Sequence, residues 1–349
     1  MKTKRIGLVL QGGGALGAYE CGVVKGLYKH YPDFHLDVVS GVSIGAVNAA
    51  VLVGAKGDPS STLEQMWRER FAVPDWPLVP QEMQPFFSMW GTPGMSQIRP
   101  DCLVAPLMAT SLYDTSPLLR TLAEFIDLDR LNRNPTHLIV TAVDVETGQL
   151  TEFENHNPRK PFSFDMILAS GSLPPNFPMT RATEQRMGKE GWFYDGGLSE
   201  GLPWSPVINR LEQCDDGDLQ VERELIVVQL IPTRAQVPTN LLEVTNRFTQ
   251  LLFASKQKLD QKFFHKIDSY IDLVQQIDKE LPQDSKLRHH KAYRELMGYR
   301  KINKCIVITS TRHESLTGAS NFSKASIEDR IECGYQDAFN ALVENGIIE

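Results

Sequence analysis

The feature that most restricts the fold is a pair of short apolar runs near the amino terminus, each followed by glycines and then by a helical pattern. The first run, "RIGLVLQ", stops at "GGG", and residues 15–30 then have a helical spacing of apolar side chains. The second run, "LDVVSG", leads directly into "SIGAVNAAVLVGA". Short apolar runs bounded by glycine indicate buried parallel strands. The order strand, loop, helix, strand, turn and helix predicts an α/β fold with a mainly parallel central sheet.

Two further buried strands are predicted at 224–231 and 304–310, and the segment between them is helical in pattern. Residues 239–281 contain neither glycine nor proline, and their apolar residues recur at three, four or seven positions. This spacing indicates an apolar helical stripe. A single helix of that length would extend about 64 Å at 1.5 Å per residue. We therefore expect a break, a helical hairpin or a contact between copies of the chain.

Residues 71–113 differ in composition from the rest of the chain. Their first 25 residues carry two tryptophans, three phenylalanines and five prolines. Proline at this density predicts a long irregular insertion. Its aromatic side chains either pack on the core or form an apolar lid. In the second case Phe86, Phe87 and Trp90 are the candidates for contact with an acyl chain.

The length of 349 residues allows one large α/β domain or two smaller ones. We predict a catalytic domain over residues 1–235, which includes the insertion at 71–113. A mostly helical extension with one further strand would occupy residues 236–349 and pack on the same domain.

Charge and cysteine usage exclude several classes of protein. The net charge of −7 argues against a nucleic-acid binder. Five dispersed cysteines without C-x-x-C spacing argue against a zinc site or a disulfide framework. No apolar run reaches the roughly 18 residues of a membrane span, and the first run is shorter than the core of a signal peptide. We expect a cytoplasmic protein without a metal ion, with peripheral membrane association left open.

The loop "QGGGALG" after the first strand allows two interpretations. Gly12, Gly14 and Gly17 fit the dinucleotide-binding pattern G-x-G-x-x-G, whereas Gly12, Gly13 and Gly14 could instead offer backbone N–H groups to an oxyanion. A dinucleotide site needs an acidic residue at the end of the second strand. Asp37 lies at the start of that strand instead. The sequence therefore favours the oxyanion interpretation.

A nucleophile candidate follows the second strand. The pentapeptide "GVSIG" places Ser43 at the turn between that strand and the next helix. A nucleophilic serine needs a sharp turn with almost no side chains two residues away, and Gly41 and Gly45 meet this need. The amino terminus of the following helix also favours negative charge there. The motif therefore predicts Ser43 as a nucleophile on a strand–turn–helix elbow.

A serine nucleophile needs a base, and the residues alone leave its identity open. None of the eight histidines lies in a glycine-bordered turn. The carboxylate of Asp195 precedes Gly196 and Gly197, which would let the backbone turn sharply, although Asp-Gly is also an ordinary turn pair. The rival arrangement is an α/β-hydrolase triad with His265 or His313 as the base.

Three motifs in this order, "QGGGALG", "GVSIG" and "DGG", resemble the patatin-like phospholipase family. The segments "ASGSLPP" and "NFSKASIEDRIECGYQDA" are similar to a bacterial subgroup with a C-terminal extension. The resemblance implies a patatin-like three-layer fold and a Ser–Asp dyad without a catalytic histidine. It implies Ser43 as the nucleophile and Asp195 as the base. The glycine loop and the amide of Ile44 would supply the oxyanion hole.

The resemblance also implies an activity and its partners. It implies a serine acyl hydrolase of the phospholipase A or lysophospholipase type that needs no cofactor and contacts a membrane. Leu16 stands where many members have Arg or Lys, so the loop lacks a cation that could assist headgroup or oxyanion binding. A dinucleotide-binding protein or a scaffold that binds partners through its helices remains a less favoured alternative. We also expect that 239–281 could form a homo-oligomer contact.

Overall fold

The computed structural model describes most of the chain. The described residues are 4–74, 79–80, 83–84, 90–105, 107–157, 159–214, 221–231, 235–299, 301–310 and 317–349, without the side chains of 103, 254–265 and 268. The predictions for Phe86, Phe87 and His313, and for the side chain of His265, lie outside the described residues.

Eight of the strands form one central sheet with the order β11-β10-β1-β2-β6-β9-β8, and β7 pairs with β6. The strands are β1 (Lys4–Leu10), β2 (Val38–Gly41), β3 (Gly91–Thr92), β4 (Ser96–Ile98), β5 (Tyr113–Asp114), β6 (His137–Asp144), β7 (Leu150–Glu154), β8 (Thr180–Glu184), β9 (Lys189–Asp195), β10 (Glu222–Gln229) and β11 (Lys304–Thr309). The five strands from β11 to β6 are parallel, and β7, β8 and β9 add antiparallel pairs.

Helices connect these strands and cover the sheet. They are α1 (Gly17–His30), α2 (Ile44–Gly54), α3 (Pro59–Met66), α4 (Pro100–Val104), α5 (Ser116–Phe125), α6 (Leu128–Arg133), α7 (Phe164–Ser170), α8 (Trp204–Gln213), α9 (Leu241–Glu280), α10 (Lys291–Gly298) and α11 (Lys324–Glu344). A single π-helical turn, Trp67–Phe71, continues α3, and short 3₁₀ turns occupy Gly14–Leu16, Gly196–Leu198, Lys286–His289 and Gly318–Ser320.

The alternating side chains of the strands divide the core into two layers. Ile6, Leu8 and Leu10 of β1 join the larger cluster, which includes α1, α2 and α11. Val9 points to the other face and packs in a smaller cluster with α8. Because successive residues of a strand point to opposite faces, the apolar run of β1 is buried on both sides. The predicted three-layer fold with a mainly parallel sheet is confirmed.

The structure corrects two expectations. Of the alternatives for 239–281, the break and the helical hairpin are wrong, since α9 runs unbroken through Leu241–Glu280. Its far end is held by the segment that follows, where Arg288 and Tyr293 both donate to Asp278. The insertion at 71–113 is also less irregular than predicted, because β3, β4 and β5 form a small antiparallel sheet. The predicted contact between copies and the two-part division at 235 stay predictions.

The last helix packs on the first. Tyr19 of α1 donates a hydrogen bond of 2.9 Å to Asp337 of α11, and this bond is buried. Burial and the neighbouring carboxylate raise the pKa of the Tyr19 hydroxyl. The strand before α11 pairs with β10 inside the main sheet. Within the residues described, no helix is both long and apolar enough to cross a bilayer.

Candidate active site

The site forms where two strands meet end to end along one edge of β6. Gly41 at the end of β2 pairs with Val140, and Asp195 at the end of β9 pairs with Ala142. Because β7 occupies the other edge of β6, β2 and β9 share this edge and approach each other from opposite directions. Two residues of a strand span about 7 Å. The turn that follows β2 and the carboxylate that ends β9 are therefore brought together.

Ser43 lies on the sharp turn that the sequence predicted. Its backbone has φ 56° and ψ −125°, one of two positive φ values among the described non-glycine residues. The turn is so tight that a Cβ on Gly45 would lie 2.5 Å from the carbonyl oxygen of Leu10, and one on Gly41 would overlap Gly45. A serine in this conformation is strained, and such strain concentrates at functional turns. α2 begins at the next residue, Ile44.

Asp195 is completely buried at the end of β9. Its Oδ1 accepts a hydrogen bond of 2.8 Å from the amide of Gly197. Burial raises the pKa of the carboxyl to about 7, and the nearby Ser43 hydroxyl and the Gly197 amide oppose this rise as hydrogen-bond donors. No hydrogen bond of ordinary length and angle reaches Oδ2 from the described residues. The carboxylate can therefore accept a proton near neutral pH.

The segment "ASGSLPP" (169–175) tethers both Ser43 and Asp195. The Ser43 amide donates to the Ser170 hydroxyl at 2.9 Å, and the Asp195 amide donates to the Ser172 carbonyl at 3.0 Å. Nothing in the sequence of this segment indicates these two contacts. Their effect is to fix the backbones of the serine and the aspartate to one short loop.

The glycine loop lies against the serine. A Cβ on Gly12 would lie 3.0 Å from the Cβ of Ser43, while Gly13 and Gly14 line the same cavity as Ser43. Among the described residues, the amides of Gly12, Gly13 and Gly14 donate no hydrogen bond. The amide of Ile44, at the start of α2, is likewise left without an acceptor there. Unpaired amides beside a serine are the groups that can stabilise an oxyanion.

A buried polar network holds the start of this loop. The Gln11 side-chain oxygen accepts hydrogen bonds of 2.6 and 3.1 Å from the amides of Leu230 and Ile231. The Gln11 backbone also bonds to Glu20, and the Asn48 amide donates to Glu20 at 2.8 Å. Burial raises the pKa of Glu20 well above its usual range. The network joins the glycine loop to α1 and to α2.

A cavity of about 620 Å³ opens beside Ser43. Its lining is mostly apolar and comes from distant parts of the chain, including Leu16, Met95, Phe177, Phe253 and Phe322. A pocket of this size, with a few polar groups at one end, is typical of a site for an apolar ligand. Leu16 is thus an apolar wall of the cavity.

Phe253 is a contributor that sequence reasoning missed. This residue of α9 is almost completely buried and lies over Gly12 and Gly197. A Cβ on Gly197 would overlap the Phe253 ring. The second glycine of "DGG" therefore lets α9 approach the carboxylate loop closely. The only sequence signal was the apolar spacing of 239–281, which does not say what the helix covers.

This packing gives a testable prediction. The Gly197→Ala substitution should lower the free energy of unfolding by about 1–3 kcal/mol, because the added methyl overlaps the Phe253 ring. Urea titration measures the change. The Gly298→Ala control places its methyl where nothing lies within 4 Å and should change stability by less than about 0.5 kcal/mol. If Phe253→Ala does not relieve the cost of Gly197→Ala in a double-mutant cycle, the assigned contact is wrong.

Arg330 of α11 reaches the back of the glycine loop. Its side chain is almost fully buried and donates to the carbonyls of Ala15, Gly318 and Asn321 at 3.3, 2.9 and 2.9 Å. Hydrogen bonds from a charged group are stronger than neutral ones. The last helix therefore fixes the loop through its own side chain.

We expect Arg330→Met to lower the free energy of unfolding by about 3 kcal/mol or more, since two buried carbonyls and one part-buried carbonyl lose a charged donor. Thermal or urea unfolding measures this loss. Arg133→Met is the matched control, because Arg133 is exposed and its ion pair with Asp129 is exposed as well. Equal stability of the two variants would show that the Arg330 contacts do not stabilise the loop.

The geometry argues against the dinucleotide interpretation, while the two histidines of the triad alternative, His265 and His313, lie outside the described side chains. Asp37 lies at the amino end of β2, where it accepts from Arg5 and from the Ile6 amide at 2.7 and 2.8 Å. It is therefore at the opposite end of the strand from the glycine loop. No histidine side chain that the structure describes lines the cavity. His137 and His156, for example, bond to each other at 3.0 Å near the start of β6.

The chain can now be compared with known proteins. A family model described as patatin-like phospholipase matches residues 8–208, and one described as patatin phospholipase matches residues 251–349. VipD from Legionella pneumophila is similar at 14% identity and a TM-score of 0.43, over 99% of this chain and 67% of that chain.

Another similar solved structure is the complex of full-length SpcU with full-length ExoU from the type III secretion system of Pseudomonas aeruginosa. The identity is 17% and the TM-score 0.28, over 74% of this chain and 51% of that chain. The chain thus spans about two thirds of the length of VipD and about half of this second chain. A search of curated proteins finds no significant match. Because the first family model covers more than half of the sequence, the chain belongs to the patatin-like phospholipase family of lipid hydrolases.

Proposed function

We propose that the protein is a phospholipase A or lysophospholipase that uses Ser43 as the nucleophile and Asp195 as the base. One observation carries this proposal: a strained serine on a strand–helix turn lies beside a wholly buried carboxylate and lines an apolar cavity. The family description supports a phospholipid ester as the substrate class.

In the first half of the reaction, the Ser43 Oγ attacks the ester carbonyl carbon while Asp195 accepts the hydroxyl proton. The carbonyl oxygen becomes an oxyanion that the amides of Gly12, Gly13, Gly14 and Ile44 stabilise. One such donor is worth about 3–4 kcal/mol in the transition state. The C–O bond to the lysophospholipid or glycerol alcohol then breaks, and this alcohol leaves with the proton held by Asp195. An acyl-serine remains.

In the second half, Asp195 accepts a proton from a water molecule that attacks the acyl-serine carbonyl. A second tetrahedral oxyanion forms against the same amides. When it collapses, the Ser43 oxygen leaves, regains a proton from Asp195, and the fatty acid is released. The acyl chain would occupy the apolar cavity, where Phe177 and Phe253 line the wall.

Product analysis tests the proposed substrate. Vesicles of a phosphatidylcholine with different acyl chains at its two ester positions are incubated with the protein, and the products are identified by mass spectrometry. The expected products are free fatty acid and lysophospholipid, or free fatty acid and glycerophosphocholine where the lysophospholipid is hydrolysed in turn. Release of a phosphorylated headgroup or of diacylglycerol would contradict an acyl hydrolase.

The histidine alternative needs its own control. His265→Ala and His313→Ala should each retain ester hydrolysis within about twofold if Asp195 is the base. Loss of several orders of magnitude in one of them would instead assign a Ser-His-Asp triad. Both variants are assayed on a soluble short-chain ester, so that membrane binding does not affect the comparison.

A further inference from the structure

The amino-terminal part of α9 carries apolar side chains on two different faces. Leu242, Thr249 and Phe253 line the cavity that holds Ser43. The other side of the helix carries exposed apolar residues, of which Leu241, Val244, Phe248 and Leu251 are at least half exposed; we call these four the outer stripe, and Leu241 at its start also reaches the cavity. Their spacing of three, four and three residues places them on one side of the helix. An apolar stripe normally faces the core, but this one faces away from it.

The outer stripe adjoins the opening of the cavity. Leu241 and Leu112 both line the cavity and are still 80% and 44% exposed, so they lie at its rim. On the Leu112 side, the preceding residues Val104, Leu107 and Met108 are almost fully exposed. Exposed apolar side chains therefore accompany two chain segments that reach the rim of the cavity. Exposed apolar surface on this scale marks an interaction site.

The charge of the same helix indicates the kind of partner. The whole chain has a net charge of −7, yet residues 247–266 contain five lysines or arginines and one aspartate. The whole of α9 carries six basic and six acidic residues, so the net positive charge is confined to the segment 247–266 beside the outer stripe. An apolar helix face next to a basic segment favours an anionic lipid surface. A second copy of this acidic chain offers less charge complementarity to this basic segment than anionic headgroups do.

We propose that the outer stripe and the exposed residues beside Leu112 dock the protein on an anionic phospholipid bilayer, with the cavity opening towards the lipid. This inference rests on the proposed function, because it assumes that the substrate enters the cavity from a membrane. Val244 and Phe248 enter the acyl-chain boundary, and the basic segment that follows lies near the headgroups. A lipid then reaches Ser43 without crossing water.

Vesicle flotation tests the docking surface. The full-length protein is mixed with vesicles of phosphatidylcholine and phosphatidylglycerol in a 7:3 ratio, or of phosphatidylcholine alone. The wild-type protein should bind the anionic vesicles more strongly, and 0.5 M salt should weaken this binding. The double variant Val244→Ser/Phe248→Ser should lower the partition coefficient at least tenfold. These two residues do not line the cavity, so hydrolysis of a soluble short-chain ester should stay within twofold.

A matched control comes from the same helix. Leu273 and Ile277 are also exposed apolar residues of α9. Leu273 lies about 38 Å beyond Phe248 along the helix. Leu273→Ser/Ile277→Ser should retain vesicle binding within twofold. Equal binding by the wild type and the Val244/Phe248 variant would overturn the docking surface, as would equal loss in both variants.

Two further outcomes separate this inference from the proposed function. If Ser43-dependent hydrolysis of the soluble ester is present but the wild type does not bind vesicles, docking is wrong and the proposed function stands. If light scattering finds a dimer that only the Val244/Phe248 variant makes monomeric, while vesicle binding is unchanged, the stripe binds a second copy and docking is wrong. If the protein hydrolyses neither the soluble short-chain ester nor the vesicle phospholipid, the proposed function itself fails.

Discussion

Ser43→Ala is expected to lower ester hydrolysis by on the order of 10⁴-fold or more, because the substitution removes the hydroxyl that we propose as the nucleophile. Ser43→Gly should be equally inactive but more stable than the wild type by about 1 kcal/mol. The reason is the positive φ of 56° at this position, which glycine adopts without strain. Both variants therefore lose activity because the hydroxyl is absent. They differ in stability because only glycine relieves the strained backbone.

The measurements are initial rates on a soluble short-chain ester and urea unfolding of each variant. Ser40→Ala is a suitable control, since Ser40 lies in β2 and its hydroxyl donates to the Pro203 carbonyl instead of facing the cavity. Its activity should stay within about threefold of the wild type. Retention of more than a tenth of the activity by Ser43→Ala would show that another residue is the nucleophile.

Asp195→Asn should lower ester hydrolysis by on the order of 10³–10⁴-fold, because an amide cannot accept the serine proton.

The burial that raises the pKa of Asp195 to about 7 also sets the pH dependence of the wild type. The base must be ionised, so kcat/KM should rise about tenfold per pH unit below pH 7 and level off above it. Initial rates measured at a series of pH values between 5 and 9 give this profile. A flat profile would remove Asp195 as the base.

The same carboxyl makes the stability depend on pH. In the unfolded chain Asp195 ionises near its ordinary pKa of 3.8, whereas in the fold it stays protonated up to about pH 7. The folded state therefore holds one more proton between these values, and the free energy of unfolding falls as pH rises through that window. Each pKa unit corresponds to about 1.4 kcal/mol.

Asp195→Asn should consequently be more stable than the wild type above pH 7 and about equally stable below pH 4. Its new amide would face the Ser43 hydroxyl, which can accept a hydrogen bond. Urea unfolding at pH 4 and pH 8 checks the difference. A wild-type stability that does not fall over this range, relative to Asp195→Asn, would contradict the buried carboxyl.

The glycine loop and the turn that carries Ser43 could be predicted from the sequence because their determinants are local. The run before the glycine loop, the glycines around Ser43 and the helix after it are all within about fifty residues. A sharp turn between a strand and a helix restricts which residues can stand there, so the pattern is specific. The positive φ of Ser43 is the conformation that this pattern predicts.

The positions of Asp195 and Phe253 in the site depend on contacts that no local pattern specifies. Asp195 meets Ser43 because β9 runs antiparallel along the same edge of β6 as β2, and antiparallel pairing leaves no mark in the short run "WFYDGG". Phe253 comes from a helix more than fifty residues beyond Gly197, and periodicity predicts a helix but not its neighbours. β3, β4 and β5 have two or three residues each, which is too short for an alternating pattern to appear.

The most direct test of the Ser–Asp assignment is labelling by a fluorophosphonate probe, followed by mass spectrometry of the labelled peptide. We expect the wild-type protein to carry one probe molecule, attached to Ser43, with a labelling rate that rises with pH up to about 7. Ser43→Ala should not be labelled, and Asp195→Asn should be labelled at least 100-fold more slowly. Labelling of another serine, or equal rates for Asp195→Asn and the wild type, would contradict the assignment.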